Sequence, residues 1–169
     1  MPRSFDDVEE WEMPGIEEHD DEQKQRLRRL ASRAAIEELK AEYARKADAV
    51  FNSPGTASAT ALADLFTDDG VLDLGPFGRY EGRAALLNAC ENILPQATKW
   101  TTHYIVSPIL EVGDHAATGS WYFLIKSVPQ SPPGAGVSEI LGGYTDKYVK
   151  TATGWKIRES LSSFFVPPT

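Results

Sequence analysis

The sequence predicts an α+β fold, in which helices pack against one curved, largely antiparallel sheet. Three observations carry this. A long helical apolar stripe comes first, with two shorter helical stretches behind it. A meander of long runs rich in β-branched and aromatic residues follows, from Lys99 to Val166, broken by tight turns. The chain has 169 residues, no internal repeat and one composition shift, which suits a single domain behind a short tail.

The tail is residues 1–22 and the domain is residues 23–169. Residues 1–22 hold ten of the 25 acids but only Arg3 of the 17 bases. Trp11, Met13 and Ile16 lie among those acids without a sustained period, so a solvated, disordered arm is expected. The remaining fifteen acids and sixteen bases leave the domain nearly neutral, although the whole chain carries −8. There is no basic stripe for nucleic acid. No apolar run reaches membrane-spanning length and no signal peptide opens the chain, so a cytoplasmic protein without a membrane partner is expected. A single cysteine, Cys90, excludes an internal disulfide and a thiolate metal cluster.

The first helix is expected to start near Asp21, an N-cap followed by acids, and to end at Asn52-Ser53-Pro54-Gly55. Its stripe is Ile36, Leu39, Tyr43, Ala47 and Val50, spaced by three and four. A second helix covers Ala57 to Phe66. Thr67-Asp68-Asp69-Gly70 reads as a turn and Val71 to Leu74 as a short strand. A third helix spans Arg83 to Leu94 and stops at Pro95. Lys99 to Lys126 forms a long hairpin that turns at Gly113-Asp114. Ser127 to Gly136 is a Pro/Gly/Ser loop, Gly143 to Lys150 a third long strand, and Trp155 to Val166 the last. In a regular strand His103, Ile105, Ser107 and Ile109 share one face, and Trp155, Ile157 and Leu161 share another.

No glycine-rich phosphate loop precedes a helix, no G-x-S-x-G elbow occurs, and no His/Asp/Glu set has metal spacing. His103, on a mostly apolar strand face, is the one feature that suggests chemistry. On position alone it reads as a core histidine; general acid–base work is the functional reading. Its partners would come from the first helix. Asp48 sits near the helix C-terminus, where an anion opposes the macrodipole and needs a compensating partner. Tyr43 lies on the apolar stripe. At roughly 100° per residue, Tyr43 and Asp48 diverge by about 140°, so both border one cavity only if the sheet encloses the helix end.

Four segments carry a resemblance. They are I-E-E-L-K-A-E-Y-A-R-K-A-D, then L-F-T-D-D-G-V-L-D-L-G with G-R-Y-E-G-R-A-A-L, then T-H-Y-I-V-S-P-I-L-E-V-G-D-H-A-A-T-G-S-W-Y, then G-G-Y-T-D-K-Y-V-K-T-A-T-G-W-K-I-R. In this order, from Ala34 to Arg158, they resemble the SnoaL-like branch of the nuclear-transport-factor-2-like superfamily. That resemblance implies a cone-shaped curved sheet wrapped by N-terminal helices around an apolar pocket. Within the branch, the chain is most similar to the scytalone dehydratase and bile-acid dehydratase group, whose members use no cofactor. The roles of their helical tyrosine and aspartate and their strand histidine fall on Tyr43, Asp48 and His103. Scytalone dehydratase has adjacent Tyr-Asp and a second active-site histidine, and this chain has neither. The five-residue spacing here is closer to the bile-acid enzyme.

The resulting expectation is a cofactor-independent lyase, a dehydratase of hydrophobic cyclic or aromatic hydroxylated molecules, with no metal. His103 would be the acid–base group, Asp48 its orienting partner and Tyr43 the donor to an oxyanion or leaving oxygen. Trp100, Trp121, Tyr122 and Tyr144 are candidate pocket walls for substrate binding. Isomerisation, cyclisation or retro-aldol cleavage in the same pocket is one alternative. A noncatalytic subunit like those of dioxygenases, or a binding protein for small molecules, is another. Apolar residues at both parities of the last strand, ending in Phe164, Phe165 and Val166, point to a homodimer or homotrimer through the outer sheet face.

Overall fold

The computed structural model describes residues 16–165, with side chains from residue 20 onward. Residues 1–15 and 166–169, among them Trp11, Met13 and Val166, lie outside the described residues. Helix α1 runs Ile16–Asn52, starting before Asp21. The acids at Asp20 and Asp21 suit the positive end of the helix dipole, so nothing local stops the helix at Asp21. The core stripe is the expected one, with Ile36, Tyr43, Ala47 and Val50 buried, and Lys40 is buried among them.

Helix α2 is Thr56–Ala63, ending before the expected Phe66. Phe66 opens strand β1, Phe66–Asp73, which absorbs Thr67–Gly70 as a bulged stretch instead of a turn. β2 is Arg79–Glu81. Helix α3 starts at Arg83–Asn88 and loosens into a π-helical stretch at Ala89–Ile93. A final α turn follows at Leu94–Ala97, here α4. Pro95 therefore does not stop the helix. It sits in the first turn of α4, where its missing N–H costs nothing. Cys90 is buried in this region, and burial pushes its thiol up to about 12.

Four long strands follow: β3 Thr98–Val112, β4 Ala116–Pro129, β5 Ser138–Thr151 and β6 Gly154–Phe164. β4 takes in the first residues of the expected Pro/Gly/Ser loop. The sheet order is β2-β1-β6-β5-β4-β3. β1 runs parallel to β6, and every other pair is antiparallel. The hairpin turns at Gly113, whose N–H donates to Ala116 O at 3.0 Å.

Two bulges reset which side chains face inward. In β3, Ser107 and Pro108 together oppose Trp121 of β4, and Ser107 takes a positive φ of 56°. Beyond that point Leu110 and Val112 pack on the core, while Ile109 is 72 % exposed. Ile109 therefore does not share the face of His103, as a regular strand would require. In β6 the register shifts between Ile157 and Glu159, so Ser160 is buried and Leu161 is displaced from the face of Trp155 and Ile157. The C-terminal aromatics split: Phe164 packs on the core and Phe165 is exposed.

The concave face of the sheet holds Trp121, Phe123, Tyr144, Tyr148, Trp155 and Ile157 against α1 and α2. Gly142 is required where β5 passes under Phe123. A Cβ there would come 2.1 Å from Ser163 O and 2.4 Å from the Phe123 ring. Among the described residues no helix is long and apolar enough to cross a membrane.

Candidate active site

The last turns of α1 lie along the free edge of β3. An edge strand exposes unpaired backbone groups, and here helical side chains bond two of those residues. Asn52 acts like a piece of neighbouring strand: its Oδ1 accepts from Thr101 N at 2.9 Å and its Nδ2 donates to Thr101 O at 2.9 Å. One turn earlier, Asp48 Oδ2 accepts from His103 N at 3.2 Å. Asp48 Oδ1 accepts from Thr101 Oγ1 at 3.0 Å and meets His103 Nδ1 at 2.6 Å.

Two donors, Thr101 Oγ1 and His103 N, already face the Asp48 carboxylate as an acceptor, and a neutral ring then meets it with Nδ1–H as the donor. Nε2 is then the basic nitrogen of the neutral ring, and among the described residues it makes no hydrogen bond. The His103 side chain is 8 % exposed and that of Asp48 20 %. The anion opposing the helix dipole has thus found its compensating partners, as its place near the C-terminus demands.

Tyr43 does not reach this pair. It is buried in the core, edge-on to Tyr144 with ring centroids 5.8 Å apart. Burial first, then the Asp146 charge, raises the pKa of Tyr43. Burial, then the neighbouring Tyr43 and then Asp146, raises that of Tyr144. Both therefore remain protonated donors at any ordinary pH.

Against the tyrosine rings lies a charged pair that the sequence reading misses. Lys40 Nζ is 2.8 Å from Asp146 Oδ2, with side chains 1 % and 0 % exposed. The ammonium also lies over the rings of Tyr144, at 3.8 Å, and Tyr43, at 4.3 Å. Tyr148 OH donates to Asp146 Oδ2 at 2.6 Å, and Trp121 Nε1 donates to Tyr148 OH at 3.0 Å. Although close to Asp146, Lys40 Nζ approaches it off the hydrogen-bond direction, and Asp146 Oδ1 is buried without a partner. The signal was in the sequence. Lys40 lies four residues after Ile36 and three before Tyr43, on the stripe itself, and Asp146 alternates with Tyr144 and Tyr148.

A cleft of about 310 Å³ opens between α1 and β3, lined by Lys40, Ala44, His103, Ile105 and Trp121, with Glu37 and Arg45 among its charged residues. It is an open cleft, where the sequence reading expects an enclosed apolar pocket. The rings of Tyr43, Phe123 and Tyr144 fill the space under the sheet. A larger cleft of about 370 Å³ on another side of α1 is lined by Glu38, Asp64 and Trp155 and contains no residue of the dyad. Volume and chemistry part company here, and the cleft with the histidine is the relevant one. Of the expected wall residues, Trp121 lines it and Tyr144 is buried behind it. Trp100 and Tyr122, by contrast, do not line it. They are 40 % and 60 % exposed on the outer face, because each alternates with an inward neighbour, Thr101 and Trp121 respectively. No group of His, Cys, Asp and Glu among the described residues is arranged to hold a metal ion.

A model of the SnoaL-like domain matches residues 28–160. No curated protein matches the sequence. Among solved structures, a hexachlorocyclohexane dehydrochlorinase, LinA type 2, is 25 % identical. It covers 83 % of this chain and 89 % of its own, with a TM-score of 0.71. A scytalone dehydratase-like protein from Novosphingobium aromaticivorans is 20 % identical over 82 % of this chain and 87 % of its own, with a TM-score of 0.70. An NTF2-like protein with a cystatin-like fold from the same organism is 20 % identical over 93 % and 94 %, with a TM-score of 0.72. The match spans most of the chain, and the helices-then-sheet order agrees with it: the protein belongs to the SnoaL-like family, with the NTF2-like fold.

Proposed function

We propose that this protein is a cofactor-independent lyase that eliminates a leaving group from a hydrophobic cyclic or aromatic molecule. One observation carries the reading: an oriented His–Asp pair, 2.6 Å apart, on the wall of a cleft, with its second ring nitrogen free of hydrogen bonds among the described residues. His103 Nε2 takes a proton from a carbon next to a carbonyl or conjugated system. Asp48 holds the ring in the Nδ1–H tautomer and stabilises the imidazolium that forms. The electrons left on carbon expel a hydroxyl or halide from the neighbouring carbon. When the group is hydroxyl, His103 returns the proton and water leaves. Tyr43, buried in the core and outside the lining of this cleft, does not take the donor role that the resemblance implies. The dehydrochlorinase neighbour at 25 % identity supports elimination as the reaction class.

The test works without the natural substrate. Cyclic ketones bearing a β-hydroxyl or β-halide are incubated in deuterium oxide, and mass spectrometry follows deuterium uptake and loss of the leaving group. Wild type accelerates both. His103→Ala and Asp48→Asn lower turnover by about a hundredfold or more, while binding persists. A His103→Ala protein that works at the wild-type rate excludes this mechanism. A noncatalytic binding protein would instead lose affinity at His103 and show no turnover in wild type.

A further inference from the structure

We propose that Lys40 is a substrate-binding cation of this site, which holds and polarises an oxygen conjugated to the carbon that loses its proton. The inference rests on the lyase reading above and names what the substrate must carry: a carbonyl, or a similar acceptor oxygen.

The fold alone gives no reason for Lys40 and Asp146. Withdrawing two charges from water costs several kcal/mol per ion, and apolar residues of similar volume commonly serve a core as well or better. Here the pair is wholly buried, with Asp146 on β5 and Lys40 in the middle of a helix stripe that also holds Ile36, Tyr43, Ala47 and Val50. The pair is also incompletely satisfied. An ammonium has three N–H donors. Lys40 has one carboxylate oxygen at 2.8 Å, off the hydrogen-bond direction, and two aromatic faces, and no hydrogen bond of good geometry. A fully buried ammonium whose one close acceptor lies off the hydrogen-bond direction calls for an explanation, and a ligand oxygen supplies one. Lys40 and His103 line the same cleft.

The chemistry requires such a group. When His103 removes the proton, the C–H electrons move toward the conjugated oxygen and make it enolate-like. A fixed cation in a poorly solvated wall stabilises that charge far better than water-exposed lysine does. The enolate then reforms its carbonyl, the C=C bond forms, and the leaving group departs with the electrons of its own bond. The proton held on His103 goes to a leaving hydroxyl. Nothing is oxidised or reduced. Asp146 keeps Lys40 in place and is itself held by Tyr148, which Trp121 holds in turn. The other titratable groups against the ammonium are Tyr43 and Tyr144, which stay neutral.

The experiment compares para-nitrophenol, an enolate mimic, with para-nitrotoluene, which has the same outline and no oxygen in that place. Calorimetry measures both affinities in wild type, Lys40→Met and the double variant Lys40→Met/Asp146→Leu. Wild type prefers the phenol by about tenfold or more, the range for a hydrogen bond to a charged group. Both variants lose that preference and keep their affinity for the toluene. The double variant guards against misfolding, since it buries no unpaired charge, and a cooperative thermal melt checks each protein. A folded variant that retains the preference overturns the proposal, as does a wild type without one. The two readings fail separately. Phenol preference without His103-dependent deuterium uptake removes the lyase reading. Uptake without phenol preference removes the role of Lys40.

Discussion

At the scale of single residues, the interior of this protein concentrates groups whose protonation burial controls. Tyr43, Tyr144 and Tyr148 all have pKa values raised above the ordinary 10.0, with desolvation the largest cause in each. Above pH 10 the unfolded chain releases these protons while the native state keeps them, so stability falls as pH climbs. Lys40, lowered by burial against the opposing pull of Asp146, acts with the other sign, but only below its ordinary 10.5. An alkaline titration followed by phenolate absorbance and circular dichroism should therefore show Tyr43, Tyr144 and Tyr148, three of the six tyrosines, ionising only with cooperative unfolding. Ionisation of all six with the fold intact would contradict this burial. The sequence made His103 and Asp48 legible, one by its place on an apolar strand and both by family resemblance. Lys40 stayed hidden because a lysine on a helix is expected to lie on the wet face, even though its spacing from Ile36 and Tyr43 put it on the dry one.

At the scale of elements, the site exists because a helix end seals a sheet edge. Asn52 makes two hydrogen bonds to Thr101, which is 3 % exposed, and these fix the register of α1 against the strand that carries His103. Asn52→Ala leaves that N–H and C=O unpaired and should cost about 1–3 kcal/mol in urea unfolding. An unchanged unfolding midpoint would show that water replaces the amide without loss. Element type was readable from periodicity, and the order of helices and strands came out as expected. Inward faces were not readable wherever a bulge intervened. One extra residue at Ser107-Pro108 flips Ile109 outward, and the shift near Arg158 buries Ser160 in place of Leu161. Alternation predicts a face only up to the first bulge. The same alternation, applied from His103, does place Thr101 and Ile105 beside it.

At the scale of the whole molecule, one face of the sheet is covered and the other is not. Tyr104, Val106, Ile109, Tyr122, Leu141 and Phe165 are all more than 40 % exposed on the outer side. Tyr104 and Leu141 both flank Leu124 across the sheet, and the Tyr122 and Phe165 rings lie 5.6 Å apart. Scattered exposed apolar residues are ordinary, but a contiguous set marks a contact surface. We therefore propose a homodimer or homotrimer through this face. Light scattering in dilute solution should give a multiple of 18.6 kDa. Tyr122→Lys should shift the mass toward the monomer, and a monomeric wild type would mean that the patch stays solvated.

The proposed chemistry depends on which nitrogen of His103 is the base. Nitrogen NMR of protein labelled in the histidine rings reads this directly, with the His103 signals assigned by their loss in His103→Gln. His19 and His115 serve as internal references. The geometry with Asp48 predicts that neutral His103 carries its hydrogen on Nδ1 and presents a bare Nε2, and that Asp48→Asn disturbs this tautomer. A His103 ring protonated on Nε2, or one whose tautomer ignores the Asp48 substitution, would contradict the mechanism at its first step.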